Sequence, residues 1–249
     1  MSQSTESTTE SNPFTKPGFI IAAALVVALI AAAVVIFLTP KGQGNAQPAP
    51  TESSNSATTK PSASTAAGKS VCGLPAGTEK SLGSAPTSKW ELVGRMATPT
   101  DPKTFGPGIT DESGFRSCFA QSPTGALYAA MNVAALGSTG SSEIVAKLAD
   151  KLLVPGTGRD NAMREATVKA ASPSATSIQV RGFLIKAYSP SESTVDLAFE
   201  TNSGALAHLT LSMRWMDGDW KVMPADDGKT YNGPTQIRDL SGFILWSGV

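Results

Sequence analysis

Residues 116–132, RSCFAQSPTGALYAAMN, decide the fold because they join a turn-rich segment to a helix. Ser122 followed by Pro123 is typical of a helix N-cap with proline at the first helical position. The apolar side chains that follow recur at helical spacing, and they are Ala126, Leu127, Ala130, Val133 and Ala134. The stretch predicts a helix over residues 126–136, which begins shortly after Cys118.

The same stretch carries hydroxyl and thiol groups that raise the question of nucleophilic catalysis. A serine or cysteine nucleophile needs an activating base, and a cysteine also needs a depressed pKa. Ser122 is explained by the helix cap. The chain has two cysteines, and a disulfide between Cys72 and Cys118 is favoured over a catalytic thiol. Two reduced thiols are the alternative that stays open, and we expect no catalytic residue here.

Downstream of the first helix, the hydrophobic pattern changes from a period of about 3.6 residues to a period of about 2. A cap at Ser141 or Ser142 predicts a second helix, and residues 159–171 predict a third. Strands are predicted over four segments, which are residues 177–188, 195–200, 206–216 and 220–222. Helices followed by such strands predict an α+β domain over residues 119–249, with the helices packed on a curved antiparallel sheet.

The strand predicted over residues 206–216 has one apolar face and one polar face. The apolar face holds Leu209, Leu211, Met213 and Trp215, and the polar face holds His208, Thr210, Ser212 and Arg214. We expect the apolar face to contact the core and the polar face to contact solvent or a partner. His208 is the single histidine of the chain, and we predict that it and Arg214 face a partner rather than an active site.

Residues 71–118 form a segment rich in glycine and proline, with PTDPKTFGPG at 99–108 interrupted too often for a helix or a central strand. We predict an extended arm that the disulfide closes. Its expected anchors in the core are Trp90, Leu92 and Val93.

The end of the chain, SGFILWSGV, is strongly apolar. It either packs on the domain as a final strand or forms an exposed patch for self-association. Phe243 and Trp246 are therefore candidate partner-facing residues.

The N-terminal part of the chain predicts a membrane anchor. Residues 19–38, FIIAAALVVALIAAAVVIFL, carry no charge and have the length of a membrane-spanning helix. A cleaved signal peptide is the alternative, but it needs a shorter apolar region behind a basic start. Residues 1–18 are then a cytosolic tail. Residues 39–70 lack aromatic and large aliphatic side chains, which predicts a disordered linker.

Orientation rests on the cysteines, because the few lysines that flank residues 19–38 do not settle it. Both cysteines follow residue 38 and can pair in an oxidising exterior. We therefore expect a single-pass protein of the cell membrane with its N-terminus in the cytoplasm and its C-terminal domain outside the cell.

Several kinds of chemistry find little support in the sequence. The 20 basic and 20 acidic residues balance, so we expect no direct binding of nucleic acid. The nearest metal-ligand candidates are Asp217 with Asp219 and Asp226 with Asp227, and a turn or loop explains each pair. Neither a Gly-x-Gly-x-x-Gly motif nor a P-loop is present. We expect no metal, no cofactor and no catalytic residue.

The predicted order of elements, ending in RWMDGDWKV at 214–222, resembles the nuclear-transport-factor-2-like cone fold over roughly residues 120–225. CGLP at 72–75, WELVG at 90–94, GPG at 106–108 and the opening stretch are similar to a family of actinobacterial single-pass membrane proteins associated with integrative and conjugative elements. This resemblance implies a part in DNA transfer between cells. Proteins of similar architecture are scaffold subunits of type IV secretion and conjugation channels.

Two functions follow as expectations. The first is a non-enzymatic, membrane-anchored scaffold that contacts the bilayer through residues 19–38 and binds itself or other subunits of a transfer channel. The alternative is an external domain, unrelated to conjugation, that binds a small ligand or a cell-wall component. The space between helices and sheet discriminates between them, since bulky apolar filling favours a scaffold and an open cavity with converging polar groups favours a ligand.

Overall fold

The computed structural model describes residues 68–168, 177–231 and 233–248. The predicted cytosolic tail, the predicted transmembrane helix at 19–38 and the predicted linker up to residue 67 lie outside these described residues. Within them, no helix combines the length and the apolar character needed to cross a membrane.

The arm before the helices contains short antiparallel strands. They are β1 (Lys89–Val93), β2 (Met96–Thr100), β3 (Ile109–Thr110) and β4 (Arg116–Ser117). β1 pairs with β2, and Trp90 lies opposite Pro99. The sequence analysis did not predict this pairing, which accommodates Pro99 because each strand of a two-stranded ribbon keeps an unpaired edge that tolerates proline. Val93 is buried as predicted, whereas Leu92 is 73% exposed and anchors nothing.

The three predicted helices are confirmed, except that residues 169–171 of the third lie outside the described residues. They are α1 (Pro123–Gly137), α2 (Ser142–Leu152) and α3 (Thr157–Val168). The hydroxyl of Ser122 accepts a hydrogen bond from the Gly125 amide at 3.0 Å, and that of Ser141 accepts one from the Ile144 amide at 3.3 Å. These are the caps that the sequence indicates.

The strands that follow form one antiparallel sheet. They are β5 (Ile178–Tyr188), β6 (Glu192–Thr201), β7 (Leu206–Met216), β8 (Asp219–Val222), β9 (Thr235–Ile237) and β10 (Ile244–Leu245). The order in the sheet is β10-β5-β6-β7-β8, and β9 pairs with the first residues of β7. In the described residues, α1, α2 and α3 pack against this sheet, so the α+β prediction is confirmed.

Helix α1 lies at the centre of the core. Nearly all of its side chains are buried. Its first turn passes very close to the chain just before it, because a Cβ atom on Gly125 would lie 2.0 Å from the Ala120 carbonyl oxygen. Glycine is therefore required at position 125.

The predicted disulfide joins the arm to this junction. Cys72 and Cys118 are bonded, and Cys118 is completely buried. Closing a loop of 46 residues stabilises the folded arm by about 4 kcal/mol in the chain-entropy account. The disulfide thus fixes an arm whose own pairing is limited to two separate two-stranded ribbons.

A buried carboxylate holds the same junction to the sheet. Asp219, at the start of β8, accepts hydrogen bonds from the amides of Cys118 at 2.6 Å and Phe119 at 2.9 Å. It also accepts one from the amide of Trp220 at 2.8 Å. Burial raises the pKa of Asp219 to about 6, against the opposing effect of these amide donors. The indole of Trp220 donates to the Ala120 carbonyl at 2.9 Å, which makes a further bond across the junction.

Replacing this carboxylate is expected to weaken the fold in a pH-dependent way. Asp219→Asn leaves an amide donor facing the backbone amides, and the free energy of unfolding falls by about 2–3 kcal/mol near neutral pH. Native Asp219 binds its proton below about pH 6, whereas the unfolded side chain releases it near 3.8. The proton-linked part of its contribution is therefore complete below the lower pKa and is lost as pH rises through the higher one, where the amide hydrogen bonds still contribute. The cost of the substitution is larger at about pH 4.5 than at about pH 7.5, by about 2 kcal/mol.

Urea unfolding followed by tryptophan fluorescence measures this difference. Asp217→Asn, on the same hairpin but with a side chain 72% exposed, is the control and is expected to change stability by less than about 0.5 kcal/mol. Equal effects of the two substitutions at both pH values would contradict the role assigned to Asp219.

Candidate functional site

A cavity of about 590 Å³ lies between the helices and the sheet. Its wall is mostly apolar, and the helices contribute Val133, Ala134, Val145, Leu148, Ala149, Ala162 and Ala166. The sheet contributes Ile178, Phe199, Leu209 and Leu211. A volume of this size falls in the range of sites for small molecules, about 300–1,000 Å³.

Helix α3 explains why the space is not filled. Its contributions to the apolar wall are Ala162 and Ala166, whose side chains are too short to reach the opposite face. The sheet side presents Phe199 and Leu211, both buried. Short side chains on one wall and fixed large ones on the other leave a gap that the backbone does not close.

Polar groups gather at the mouth of this cavity. Glu165 at the end of α3 and residues Lys229, Thr230 and Tyr231 line it, and all except the half-buried Thr230 are exposed. The deep wall is apolar and the rim is polar, so the site is matched to a ligand that is mainly apolar with one polar end.

The loop that carries this rim is held against α3. The side-chain amide of Asn161 donates to the Asp226 carbonyl at 2.6 Å. Gly228 has a φ of +87°, and a Cβ atom there would lie 2.7 Å from the Ala162 amide nitrogen. On the helix side, a Cβ atom on Gly158 would lie 2.3 Å from the Ala225 carbonyl oxygen. Glycines on both surfaces allow this contact and thereby place Lys229 and Tyr231 at the mouth.

The charges at the mouth are partly paired. The ammonium of Lys229 lies 2.6 Å from a carboxylate oxygen of Asp227. This hydrogen bond lowers the pKa of Asp227 and raises the pKa of Lys229, and the field of Glu165 raises the pKa of Lys229 further. Lys229 therefore interacts electrostatically with the carboxylates of both Asp227 and Glu165.

His208 and Arg214 lie on the other face of the sheet, as their alternation with the apolar side chains predicts. The Nδ1 atom of His208 is 2.8 Å from a carboxylate oxygen of Asp196, whose side chain is 3% exposed. Lys186 approaches the other oxygen of Asp196 at 2.6 Å, and Arg214 pairs with Glu192 at 2.9 Å. His208 does lie beside a carboxylate, but it is not among the residues that line the cavity. That a partner binds this face stays a prediction.

The apolar end of the chain packs on the domain as a strand, β10, against β5. Phe243 is half-buried, and its ring centre lies 6.0 Å from that of His208. Trp246 is 5% exposed, and its ring centre lies 4.7 Å from that of Trp90 and 5.5 Å from that of Phe183. The prediction that Trp246 faces a partner is therefore wrong, because these aromatic rings bury its indole.

Three of the carboxylates considered as metal ligands, those of Asp219, Asp217 and Asp227, have other partners, and that of Asp227 is Lys229. Asp219 accepts the three amide bonds described above, and Asp217 pairs with Lys221 at 2.7 Å. Across the described part of the chain, no group of three or more histidine, cysteine, aspartate or glutamate side chains is placed to hold a metal ion.

Comparison with known proteins gives one result. A family model described as Domain of unknown function (DUF8175) matches residues 51–245. The chain belongs to this family. No curated protein and no solved structure matches the chain. The DUF8175 match extends from the predicted linker through the arm and the helices to β10, so the cavity and its mouth are built within the family's own region.

Sequence reasoning missed the mouth of the cavity in this DUF8175 domain. Asp226 and Asp227 were explained by a loop before Gly228, and nothing in their spacing indicates that the loop turns back onto α3. The available signal was a pair of glycines, Gly158 and Gly228, in segments that the structure brings into contact.

The burial of Trp246 leads to a stability prediction. Trp246→Ala removes an indole from the aromatic contacts with Trp90 and Phe183, and it is expected to lower the free energy of unfolding by about 3–5 kcal/mol. Leu245→Ala is the matched control on the same strand, because Leu245 is 66% exposed, and its expected effect is below about 0.5 kcal/mol. Thermal unfolding by circular dichroism measures both, and a larger loss for Leu245→Ala would contradict the packing described here.

Proposed function

We propose that the domain is a non-enzymatic binding module that takes a mainly apolar small molecule into the cavity between helices and sheet. The observation that carries this proposal is the cavity itself, with a volume of about 590 Å³, a deep apolar wall and a polar rim. Burying a ligand's apolar surface contributes about 25 cal/mol per Å², and the wall offers that surface already formed.

The proposal includes the finer fold class and the location. Helices followed by an antiparallel meander, with a cavity between them, support a nuclear-transport-factor-2-like cone. The Cys72–Cys118 disulfide supports an oxidising exterior, because cytosolic proteins rarely retain such bonds. In this proposal the domain stands outside the cell on a linker that follows the membrane anchor predicted at residues 19–38.

The scaffold role in a conjugative DNA-transfer apparatus is the second candidate. The sheet's outer face favours it, because it carries the charged side chains of Lys186, Arg214 and Glu192, each 41% to 54% exposed. Leu245, 66% exposed beside this sheet's edge, adds an apolar contact point. Deleting the gene from a transfer element tests this role, which requires transfer to fall. Unchanged transfer would eliminate it.

Photolabelling tests the cavity proposal on the full chain in lipid nanodiscs. The apolar reagent 3-(trifluoromethyl)-3-phenyldiazirine is activated by light, and mass spectrometry locates the labelled peptides. We expect labelling of residues in the cavity wall, including Leu211 and Phe199. Ala166→Phe fills the cavity and is expected to reduce this labelling by about tenfold, the equivalent of about 1.4 kcal/mol in affinity.

Met163→Phe is the matched control, because Met163 lies on the same helix but is 37% exposed, and it should leave the labelling unchanged. Because Ala166→Phe fills space that is already free, we expect it not to lower thermal stability, unlike an overpacking substitution in a filled core. If Ala166→Phe fails to fold, Ala149→Phe fills the same space from α2. Absence of label from the cavity wall of the folded native chain would overturn the proposal.

A further inference from the structure

The distribution of charge at the cavity mouth selects among apolar ligands. Among the described residues that line the cavity, the charged side chains are Glu165 and Lys229. Lys229 is already held by Asp227 at 2.6 Å. The two lining charges balance, and Asp227, which is not a lining residue, adds one negative charge beside Lys229. A ligand whose head carries a negative charge would meet repulsion there, while its apolar end lay in the wall.

The rim also offers groups that accept hydrogen bonds. The Glu165 carboxylate is an acceptor, and the hydroxyls of Thr230 and Tyr231 both accept and donate. A ligand head group that donates hydrogen bonds satisfies these acceptors without adding negative charge. A carboxylate or phosphate head group has only acceptor oxygens when it is ionised, so it cannot form a hydrogen bond with the Glu165 carboxylate.

The volume limits the apolar part of the ligand. If each methylene takes roughly the 30 Å³ that a water molecule occupies in the liquid, about 590 Å³ has room for roughly 20 such groups. One chain with its head fits this space, and the two chains of a membrane phospholipid do not.

We propose that the cavity binds a single-chain amphiphile whose head donates hydrogen bonds and carries no negative charge, such as a monoacylglycerol. The chain lies against Leu211, Phe199 and Ile178, and the head lies at Glu165 and Tyr231. This inference rests on the proposed function, since it names the class of ligand for the same cavity.

Competition with the photolabel tests this inference on the full chain in nanodiscs. The competitors are 1-monolauroylglycerol, dodecylamine and dodecanoate, which have apolar chains of similar length, at about pH 8.5, where the carboxylate is ionised and the amine is protonated. We expect the glycerol ester and the amine to suppress labelling of the cavity wall at about threefold lower concentration than dodecanoate. Glu165→Gln removes one negative charge and should narrow this difference, whereas Glu143→Gln, exposed on α2 away from the cavity, should leave it unchanged.

The outcomes separate the inference from the proposed function. If dodecanoate suppressed labelling of the cavity wall at a concentration equal to or lower than that of the glycerol ester and the amine, the inference would be overturned. The proposed binding function would still stand. The same conclusion follows if the cavity is labelled but none of the three amphiphiles competes, or if Glu143→Gln narrows the difference as much as Glu165→Gln. If the native cavity takes no label at all, the proposed function and the inference fall together.

Discussion

The carboxylate of Asp219 is the constraint on which the rest of the structure depends. It accepts amide hydrogen bonds from Cys118 and Phe119, which lie about 100 residues earlier in the chain, and from its own neighbour Trp220. Cys118 has a φ of +67°, a conformation that non-glycine residues adopt only when their surroundings hold it. Because Ser122, the N-cap of α1, lies only four residues after Cys118, the position of the central helix follows from this buried junction.

The cavity is a consequence of how the helices then divide the core. The first turns of α1 are tightly packed, because Gly125 lies in close contact with Ala120 just before the helix, whereas Val133 and Ala134 further along it line the cavity. Helix α3 is held further along by the loop at Gly228, and it presents alanines where the sheet presents Phe199 and Leu211. The same domain therefore has a tightly packed half, which maintains its shape, and a half with free volume, which is available for binding.

Much of the fold followed from local signals. Ser122 with Pro123, the cap at Ser141 and the alternation along β7 each specify an element through the side chains of that element alone, and the structure has each of them. The β1–β2 hairpin was not predicted, because Pro99 fits a strand only where one edge of that strand is unpaired. Whether an edge is unpaired depends on which strands pair, and the local sequence does not show this. The burial of Trp246 and the mouth of the cavity also depend on contacts between distant segments. Sequence periodicity carries no information about which distant segments meet.

We propose that a ligand of this domain enters between the helices and the sheet rather than binding to the outer surface. Methyl NMR of the protein during titration with 1-monolauroylglycerol tests this claim most directly. We expect the methyl signals of Val133, Leu148 and Leu211 in the cavity wall to shift, and those of the exposed Leu92 and Leu245 to stay unchanged. Shifts confined to Leu92 and Leu245 would contradict it.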